Sequence, residues 1–186
     1  MLADSTHMQK WWTELDGMWK HILVSELGLE GMFDPETDLS YLETITELDC
    51  SGTNLYHLEP ITRLPNLTFL DISETNVSDL TPLRYLTNLE EFHASFCQFS
   101  SVREVLHLGH LRILDISYPY NTIEDLSLLA CIPSLQELYL NACMIGEMDF
   151  LRNLQDLEML SIHFNPLDPQ EVAAFQDGNQ ACQVLF

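Results

Sequence analysis

The chain has 186 residues, of which 29 are Asp or Glu and only seven are Lys or Arg, so its formal net charge is -22. Nucleic-acid phosphates and anionic membranes are bound through Lys and Arg, and this composition argues against both kinds of partner. The length fits one compact domain or one short repeat array. The acidic charge favours a basic protein partner or cations, unless it serves only to keep an apolar-rich protein in solution.

Residues 5–27 have the periodicity of an amphipathic helix, because apolar side chains recur there at steps of three and four. Asp4, Ser5 or Thr6 can cap the start of this helix, and Gly28 can end it. The helix carries all three tryptophans of the chain, and its polar face is acidic. These features are more typical of a lid on the apolar end of a neighbouring segment than of a membrane-binding helix.

The rest of the first 44 residues carries one more helix signal. Asp34 and Pro35 predict an N-cap with proline at the first helical position, and so a short helix through about Leu42. Residues 1–10 show no basic segment followed by an apolar run, and no stretch of the chain reaches the roughly 18 uninterrupted apolar residues of a membrane span. We therefore expect a cytoplasmic protein, although a removed signal peptide would leave no mark on this sequence.

Six segments repeat one pattern of apolar residues. They begin at residues 45, 67, 89, 111, 135 and 157, so the period is 22 residues with one unit of 24. The first, fourth and sixth positions of each are apolar and the residues between them mostly polar, which predicts a short strand. Later apolar positions predict a short helical or 3₁₀ return, and Pro60 and Pro82 argue against a long α-helix there. Such a period predicts a solenoid, in which each unit buries its apolar side against its neighbours.

The C-terminal segment leaves the repeat register. Asp168, Pro169 and Glu171 predict the N-cap, the first-turn proline and the capping-box glutamate of a short helix. Residues 181–186 can add a strand that covers the sheet edge. We expect one continuous structural domain with three parts: an N-terminal helical cap at 1–44, six repeats at 45–167 and a C-terminal cap at 168–186.

The unit at 67–88, which begins Leu-Thr-Phe-Leu-Asp-Ile-Ser-Glu-Thr-Asn-Val, closely resembles the 22-residue leucine-rich repeat of the bacterial internalin type. Six such units in tandem cover about two thirds of the chain. The resemblance implies an α/β leucine-rich repeat solenoid with short parallel strands on the concave face. It also implies a non-enzymatic protein-interaction scaffold, without fixing the partner. We find no segment that matches the signal-peptide or surface-anchoring regions of internalins, so their host-cell role is not carried over.

The chain departs from the internalin pattern at the ninth position of the unit, which in that family is usually an asparagine that bonds the turn backbone. Here the ninth position holds Thr53, Thr75, Cys97, Asn121, Cys143 and Asn165. A thiol is only a weak hydrogen-bond donor. The resemblance therefore implies that the third and fifth turns are held less firmly than the others. The fourth unit also carries two extra residues within 117–121.

Side chains between the core positions of a strand point to the concave side, and equivalent residues of neighbouring strands form columns about 4.8 Å apart. Several of these residues are apolar where a merely solvated face would be polar. Those predicted to be exposed are Phe69, Phe96, Ile113, Tyr118, Tyr139, Met159 and Phe164, with Tyr120 at the rim. Aromatic anchors ringed by carboxylates are typical of a binding site. The predicted partner-binding residues are Phe69, Phe96, Tyr118, Tyr139, Phe164, Asp71, Glu91, Asp115 and Glu137. Alternatively, some of these rings pack on each other or under a cap, above all Phe164.

Other chemistry has less support. Asp49, Asp71 and Asp115 lie in one column, but a straight column does not converge the six or more oxygens that hard cations require. The five cysteines are odd in number and include no CxxC pair, so they predict neither a disulfide framework nor a zinc site. No nucleotide-binding, zinc-protease or serine-hydrolase motif occurs. We expect no enzyme activity, no metal and no cofactor.

The leading hypothesis is a monomeric scaffold that binds a protein through the concave face. The partner is basic if the acidic charge of this chain takes part in binding. A narrower version is an inhibitor or immunity-type protein that masks a basic enzyme or toxin. A different class is carbohydrate or peptide binding, because aromatic side chains on a concave sheet can stack on sugar rings.

Overall fold

A computed structural model describes residues 5–186, with side chains from residue 7 onward. Seven short strands form one parallel sheet in which the strand order follows the chain. The strands are β1 (Glu47–Asp49), β2 (Phe69–Asp71), β3 (Glu91–His93), β4 (Ile113–Asp115), β5 (Glu137–Tyr139), β6 (Met159–Ser161) and β7 (Gln183–Leu185). The 22-residue period therefore sets the register, since the third position of every unit pairs with the third position of the next.

The return from each of the strands β1 to β5 is a 3₁₀ segment, as the spacing predicts, whereas the connection from β6 to β7 contains an α-helix. Pro60 and Pro82 occupy the first turns of two of these segments, where a missing N–H is tolerated. One 3₁₀ segment, Asp38–Thr44, precedes β1, and the five returns are Glu59–Arg63, Thr81–Tyr85, Arg103–His107, Leu126–Cys131 and Asp149–Asn153. Leucines from the strands and from these returns meet in one continuous core that runs from Trp12 to Cys182.

The prediction of one helix over residues 5–27 is wrong, because the segment forms two. Helix α1 (Ser5–Glu14) ends before Asp16, and α2 (Gly17–Glu26) begins after it. The Asp16 carboxylate accepts hydrogen bonds from the backbone N–H groups of Met18 and Trp19 at 2.8 and 3.0 Å, so it acts as an N-cap. Gly28 ends α2 with a φ of 65°, as predicted. The proposed cap Asp4 lies outside the described residues.

The tryptophans close the end of the solenoid that precedes β1. Trp19 is fully buried, and its indole N–H donates to the backbone carbonyl of His57 at 3.0 Å. Trp12 packs on Phe33, with ring centroids 4.5 Å apart. This arrangement agrees with the prediction of a lid. A helix from Pro35 does not form, and the chain makes a turn there that leads into the 3₁₀ segment beginning at Asp38.

The opposite end is closed by α3 (Pro169–Gly178) and β7. Asp168 caps α3 by accepting from the N–H of Gln170 at 2.9 Å. The predicted capping box is absent, because Glu171 instead accepts from the backbone N–H of Met148 at 2.7 Å and so ties the helix to the fifth unit. Strand β7 pairs with β6, so the predicted closing strand is confirmed.

Candidate functional site

The turn after each strand has a left-handed backbone at the eighth position of the unit. The φ values are 65° at Gly52, 59° at Glu74, 58° at Phe96, 53° at Tyr118, 56° at Ala142 and 61° at Phe164. For a residue with a Cβ this conformation is unfavourable by about 1–2 kcal/mol. The stacking of the units supports it, since the N–H at this position donates to the seventh-position carbonyl of the next unit. One such bond joins Phe96 to Ser117 at 3.1 Å, and another joins Tyr118 to Asn141 at 2.8 Å.

Four rings meet along this row of turns, and we refer to Phe96, Tyr118, Tyr120 and Phe164 as the aromatic cluster. The rings of Phe96 and Tyr118 are stacked, with centroids 4.8 Å apart and planes 4° from parallel. Tyr120, which belongs to the two-residue insertion, lies 6.4 Å from Phe96. Phe164 reaches across the small side chain of Ala142 to within 6.3 Å of Tyr118.

The members of the aromatic cluster differ in exposure. Phe164 and Tyr120 are 77% and 69% exposed, and Phe96 is 37% exposed. Tyr118 is only half-buried rather than fully exposed, because it packs between Phe96 and Phe164. Phe164 therefore packs on the cluster and is not covered by the C-terminal segment. Both readings of the sequence hold in part, since the rings pack on one another and still present a continuous apolar surface.

The other apolar residues predicted to be exposed are half-buried: Phe69, Ile113, Tyr139 and Met159. They lie on the strands of the sheet, in register with the equivalent residues of the adjacent strands. The ring of Phe69 is 5.5 Å from that of His93. Tyr139 does not join the aromatic cluster, because its hydroxyl donates to the Glu137 carboxylate at 2.7 Å. That bond, burial and the nearby carboxylates raise the pKa of Tyr139 to about 12.

Fifth-position aspartates have a structural role that the sequence reading missed. Asp49, Asp71 and Asp115 each accept a hydrogen bond from the N–H two residues later, at 2.8, 2.7 and 2.9 Å. Where the unit lacks this aspartate, a side chain from the preceding unit takes its place. The Ser73 hydroxyl accepts from the N–H of Ser95, and the Ser117 hydroxyl accepts from that of Asn141. The recurring Asp-x-Ser spacing was the signal for these turns.

The third positions form a row that alternates between acid and apolar residues. We refer to this row as the third-position stripe, and its members are Glu47, Phe69, Glu91, Ile113, Glu137 and Met159. Glu47 was missed as a site residue, although its place opposite Phe69 was visible in the repeat alignment. The carboxylates of Glu47 and Glu91 make no hydrogen bond or ion pair with any residue in the described part of the chain.

No Lys or Arg lies within the columns of this face. The third, fifth, seventh and eighth positions of the six units contain no Lys or Arg. Ion pairs of Lys and Arg within residues 5–186 use residues outside these columns, and they join Lys10 to Glu14, Arg84 to Glu104, Arg112 to Glu90 and Arg152 to Asp149. The Arg112 pair is the one beside the face, because Glu90 lines a depression together with Phe69 and Glu91. The density of negative charge reaches the lid, since burial and the carboxylates of Glu47 and Asp49 raise the pKa of Glu26.

The surface offers shallow depressions. One, of about 290 Å³, is lined by Glu47, Thr68, Phe69, Glu90 and Glu91. Another, of about 400 Å³, is lined by Glu74, Thr75, Asn76, Phe96 and Tyr120. Both open to solvent. Among the described residues, no three His, Cys, Asp or Glu side chains are placed to hold a metal ion.

The ninth-position side chains bond the turns in different ways. Thr53 and Thr75 donate to carbonyls of their own unit at 2.6 and 2.7 Å. The thiol of Cys97 lies 3.1 Å from the carbonyl of Ile72 in the preceding unit, and Cys143 makes the equivalent contact at 3.4 Å. All five cysteines are free, and only Cys131 is exposed. Weaker holding of the third and fifth turns remains a prediction.

Comparison with known proteins bears on the fold. The chain matches an internalin of Listeria monocytogenes, InlF, over 100% of its own length and 58% of that protein, with 19% identity and a TM-score of 0.69. A leucine-rich repeat protein of Leptospira interrogans matches 83% of the chain and 40% of its own length, with 22% identity and a TM-score of 0.67. The chain folds as an internalin-like leucine-rich repeat solenoid.

Other matches have the same architecture. The internalin InlC2 matches 92% of both chains at 19% identity, with a TM-score of 0.56. The functional domain of InlJ, which includes a cysteine ladder, matches 76% of this leucine-rich repeat chain and 34% of its own, with 22% identity and a TM-score of 0.59. No family model matches the sequence, and no curated protein matches it. In the part of the chain described, no helix is long and apolar enough to cross a membrane.

Proposed function

We propose that this leucine-rich repeat solenoid is a non-enzymatic scaffold that binds a basic protein through its concave face. One observation carries the proposal: uncompensated carboxylates on the sheet face lie beside the aromatic cluster, which occupies the turns at the edge of that face. Solenoids of stacked repeats present such extended concave surfaces for binding. A surface with aromatic side chains beside charged ones has the composition of a protein interface with anchors and a polar rim.

The aromatic cluster and the acids have different tasks in this proposal. Phe96, Tyr118 and Phe164 are held by the left-handed turns in fixed positions, so their burial requires little further ordering. Glu47, Glu91 and the other carboxylates attract a positively charged partner and orient it. The interaction should weaken steeply as salt is raised, because the charges are screened within about 10 Å at 0.1 M ionic strength.

The test is capture of partners from native lysate, with mass spectrometry, on a Phe96→Ala/Tyr118→Ala/Phe164→Ala variant. We expect it to lose the partner that the wild type retains. The matched control replaces three exposed tyrosines outside the strands and the aromatic cluster: Tyr41, Tyr56 and Tyr85, each with alanine. Circular dichroism confirms that both variants are folded. Equal recovery by wild type and cluster variant would overturn the proposal.

Carbohydrate binding is the alternative outcome. It is disfavoured because Phe96 and Tyr118 stack on each other, so the facing sides of their rings are occupied. A glycan array that gives a hit lost in the cluster variant, with no protein captured, would replace the proposal. The inhibitor version predicts that the captured protein is a basic enzyme or toxin whose activity falls on binding.

A further inference from the structure

From the third-position stripe we infer that the partner presents a basic amphipathic α-helix. The helix lies across the strands, and each repeat contacts one of its side chains, so that successive contacts are three or four helix residues apart. This inference rests on the proposed function and adds the shape of the ligand. The stripe runs perpendicular to the strands, from Glu47 on β1 to Met159 on β6, and acid and apolar side chains alternate along it.

The spacing of the stripe selects a helix. Neighbouring strands lie about 4.8 Å apart, so six strands span about 24 Å. On an α-helix, side chains at alternating steps of three and four residues stay on one face and advance about 5.3 Å per step, or about 26 Å over the same number of steps. An extended peptide advances about 6.8 Å between residues on one face, and it would lose the register within three strands.

The chemistry of the stripe specifies the helix sequence. Phe69, Ile113 and Met159 are half-buried apolar residues that match leucine-like side chains, whereas Glu47, Glu91 and Glu137 match lysine or arginine. A helix is about 10–12 Å across and also covers the fifth-position column, about 7 Å away along the strands. That column adds the charges of Asp49, Asp71 and Asp115. The aromatic cluster, one turn further, contacts the flank of the helix or the protein that carries it.

Synthetic peptides test this inference without knowledge of the natural partner. The register peptide is a helix of about 22 residues in which leucine and lysine alternate at steps of three and four. The control peptide has the same composition and helicity, but its lysines are gathered in one half. Calorimetry measures both on the full chain. We expect the register peptide to bind at least about ten-fold more tightly, because charge complementarity depends on position.

A Glu47→Gln/Glu91→Gln variant locates the site. The affinity of this variant for the register peptide should be about ten-fold lower than that of the wild type. Neither carboxylate bonds the turns, so the fold should be unchanged. The matched control is Glu124→Gln/Glu147→Gln, which removes the same charge from exposed sites outside the sheet columns and should change affinity less than two-fold, or about 0.4 kcal/mol. Methyl NMR shifts at Ile113 and Met159, but not at the exposed Met144, should accompany binding.

The outcomes separate this inference from the proposed function. Equal binding of the two peptides, or an equal loss of affinity in both charge variants, would overturn the inference of a helical ligand. Binding would then be explained by general charge attraction. If the lysate partner is still lost in the cluster variant, the scaffold stands without the helix. If the peptides discriminate and the cluster variant captures normally, the proposed function is overturned as stated, whereas the stripe still recognises a basic helix.

Discussion

Left-handed residues at the eighth position show how single side chains are placed at a cost in local strain. Gly52 adopts φ 65° and Glu74 adopts φ 59° in equivalent turns. A Cβ built on Gly52 meets nothing within 4 Å, so only the backbone conformation distinguishes the two positions. The aromatic residues Phe96, Tyr118 and Phe164 bear the same strain without a structural need for an aromatic ring there, which agrees with a role in binding.

A pair of substitutions measures this strain. Glu74→Gly should raise the free energy of unfolding by about 1 kcal/mol, and Gly52→Ala should lower it by about the same amount, since glycine alone tolerates a positive φ freely. Urea denaturation provides both values. If the two substitutions changed the free energy of unfolding in the same direction, the left-handed backbone would not be a source of strain.

The Tyr139 hydroxyl gives a pH-dependent prediction. Its pKa is raised to about 12, first by donation to Glu137 and then by burial and nearby charge. Because the folded pKa exceeds the unfolded value, this contribution to stability is fully present below about pH 10 and is lost as pH rises toward 12.

Ultraviolet titration of tyrosine should show one hydroxyl that ionises last and that Glu137→Ala returns toward the ordinary range. Glu147→Ala is the control, because Glu147 lies outside the sheet columns. An unchanged titration in the Glu137 variant would show that the hydrogen bond is not the cause.

At the scale of elements, the break between α1 and α2 depends on Asp16. Its carboxylate caps α2 and also lies 2.8 Å from the ring of His57 on the first repeat. Burial raises the pKa of Asp16, but hydrogen bonds from Trp19, His57 and Met18 outweigh it and leave the pKa lowered.

Asp16→Ala should reduce the free energy of unfolding by about 1–2 kcal/mol, because the cap and the link between lid and repeat are lost together. The control is Asp156→Ala, an exposed aspartate whose side chain makes no bond to the described residues. The lowered pKa means that this contribution is fully present above the ordinary pKa of about 4 and is lost as pH falls through the lower pKa of the folded state. Denaturation at pH 7 and pH 3 should therefore show a larger difference between wild type and variant at the higher pH.

The repeated elements were predictable, and the unique ones less so. The six repeat strands and the 3₁₀ returns between them follow from the apolar period, which appears six times and needs no tertiary information. The break at Asp16 and the contact from Glu171 to Met148 were missed, because both depend on backbone groups whose partners the sequence does not reveal. Local capping rules fit either arrangement at these two places.

The candidate site divides in the same way. The columns followed from strand alternation, and the predicted pairing of Phe69 with Glu91 on adjacent strands is confirmed. Exposure was overestimated, because the sequence does not show that neighbouring rings share their surface. The hydrogen bond from Tyr139 to Glu137 and the stack of Phe96 on Tyr118 both arise from side-chain conformations that alternation leaves open.

For the whole molecule, the charge of -22 predicts a stability that depends on salt. The carboxylate columns lie on strands about 4.8 Å apart, well inside the screening length of about 10 Å at 0.1 M salt. We expect the melting temperature to rise by several degrees between 0.02 and about 0.5 M sodium chloride, as like-charge repulsion is screened. The Glu47→Gln/Glu91→Gln variant should show a smaller rise. A melting temperature that is independent of salt would indicate that the acids do not repel one another measurably.

The alternation along the third-position stripe has a consequence for how this surface can change. Adding or deleting a single unit shifts the alternation of acidic and apolar side chains by one position in all units after the change. Adding or deleting two units preserves the alternation. The length of helix that such a protein recognises can therefore change without loss of pattern only when repeats are added or removed in pairs. Duplicating residues 67–110 should extend the recognised helix by about two half-heptad steps, while duplicating residues 67–88 alone should require a partner whose pattern changes phase midway.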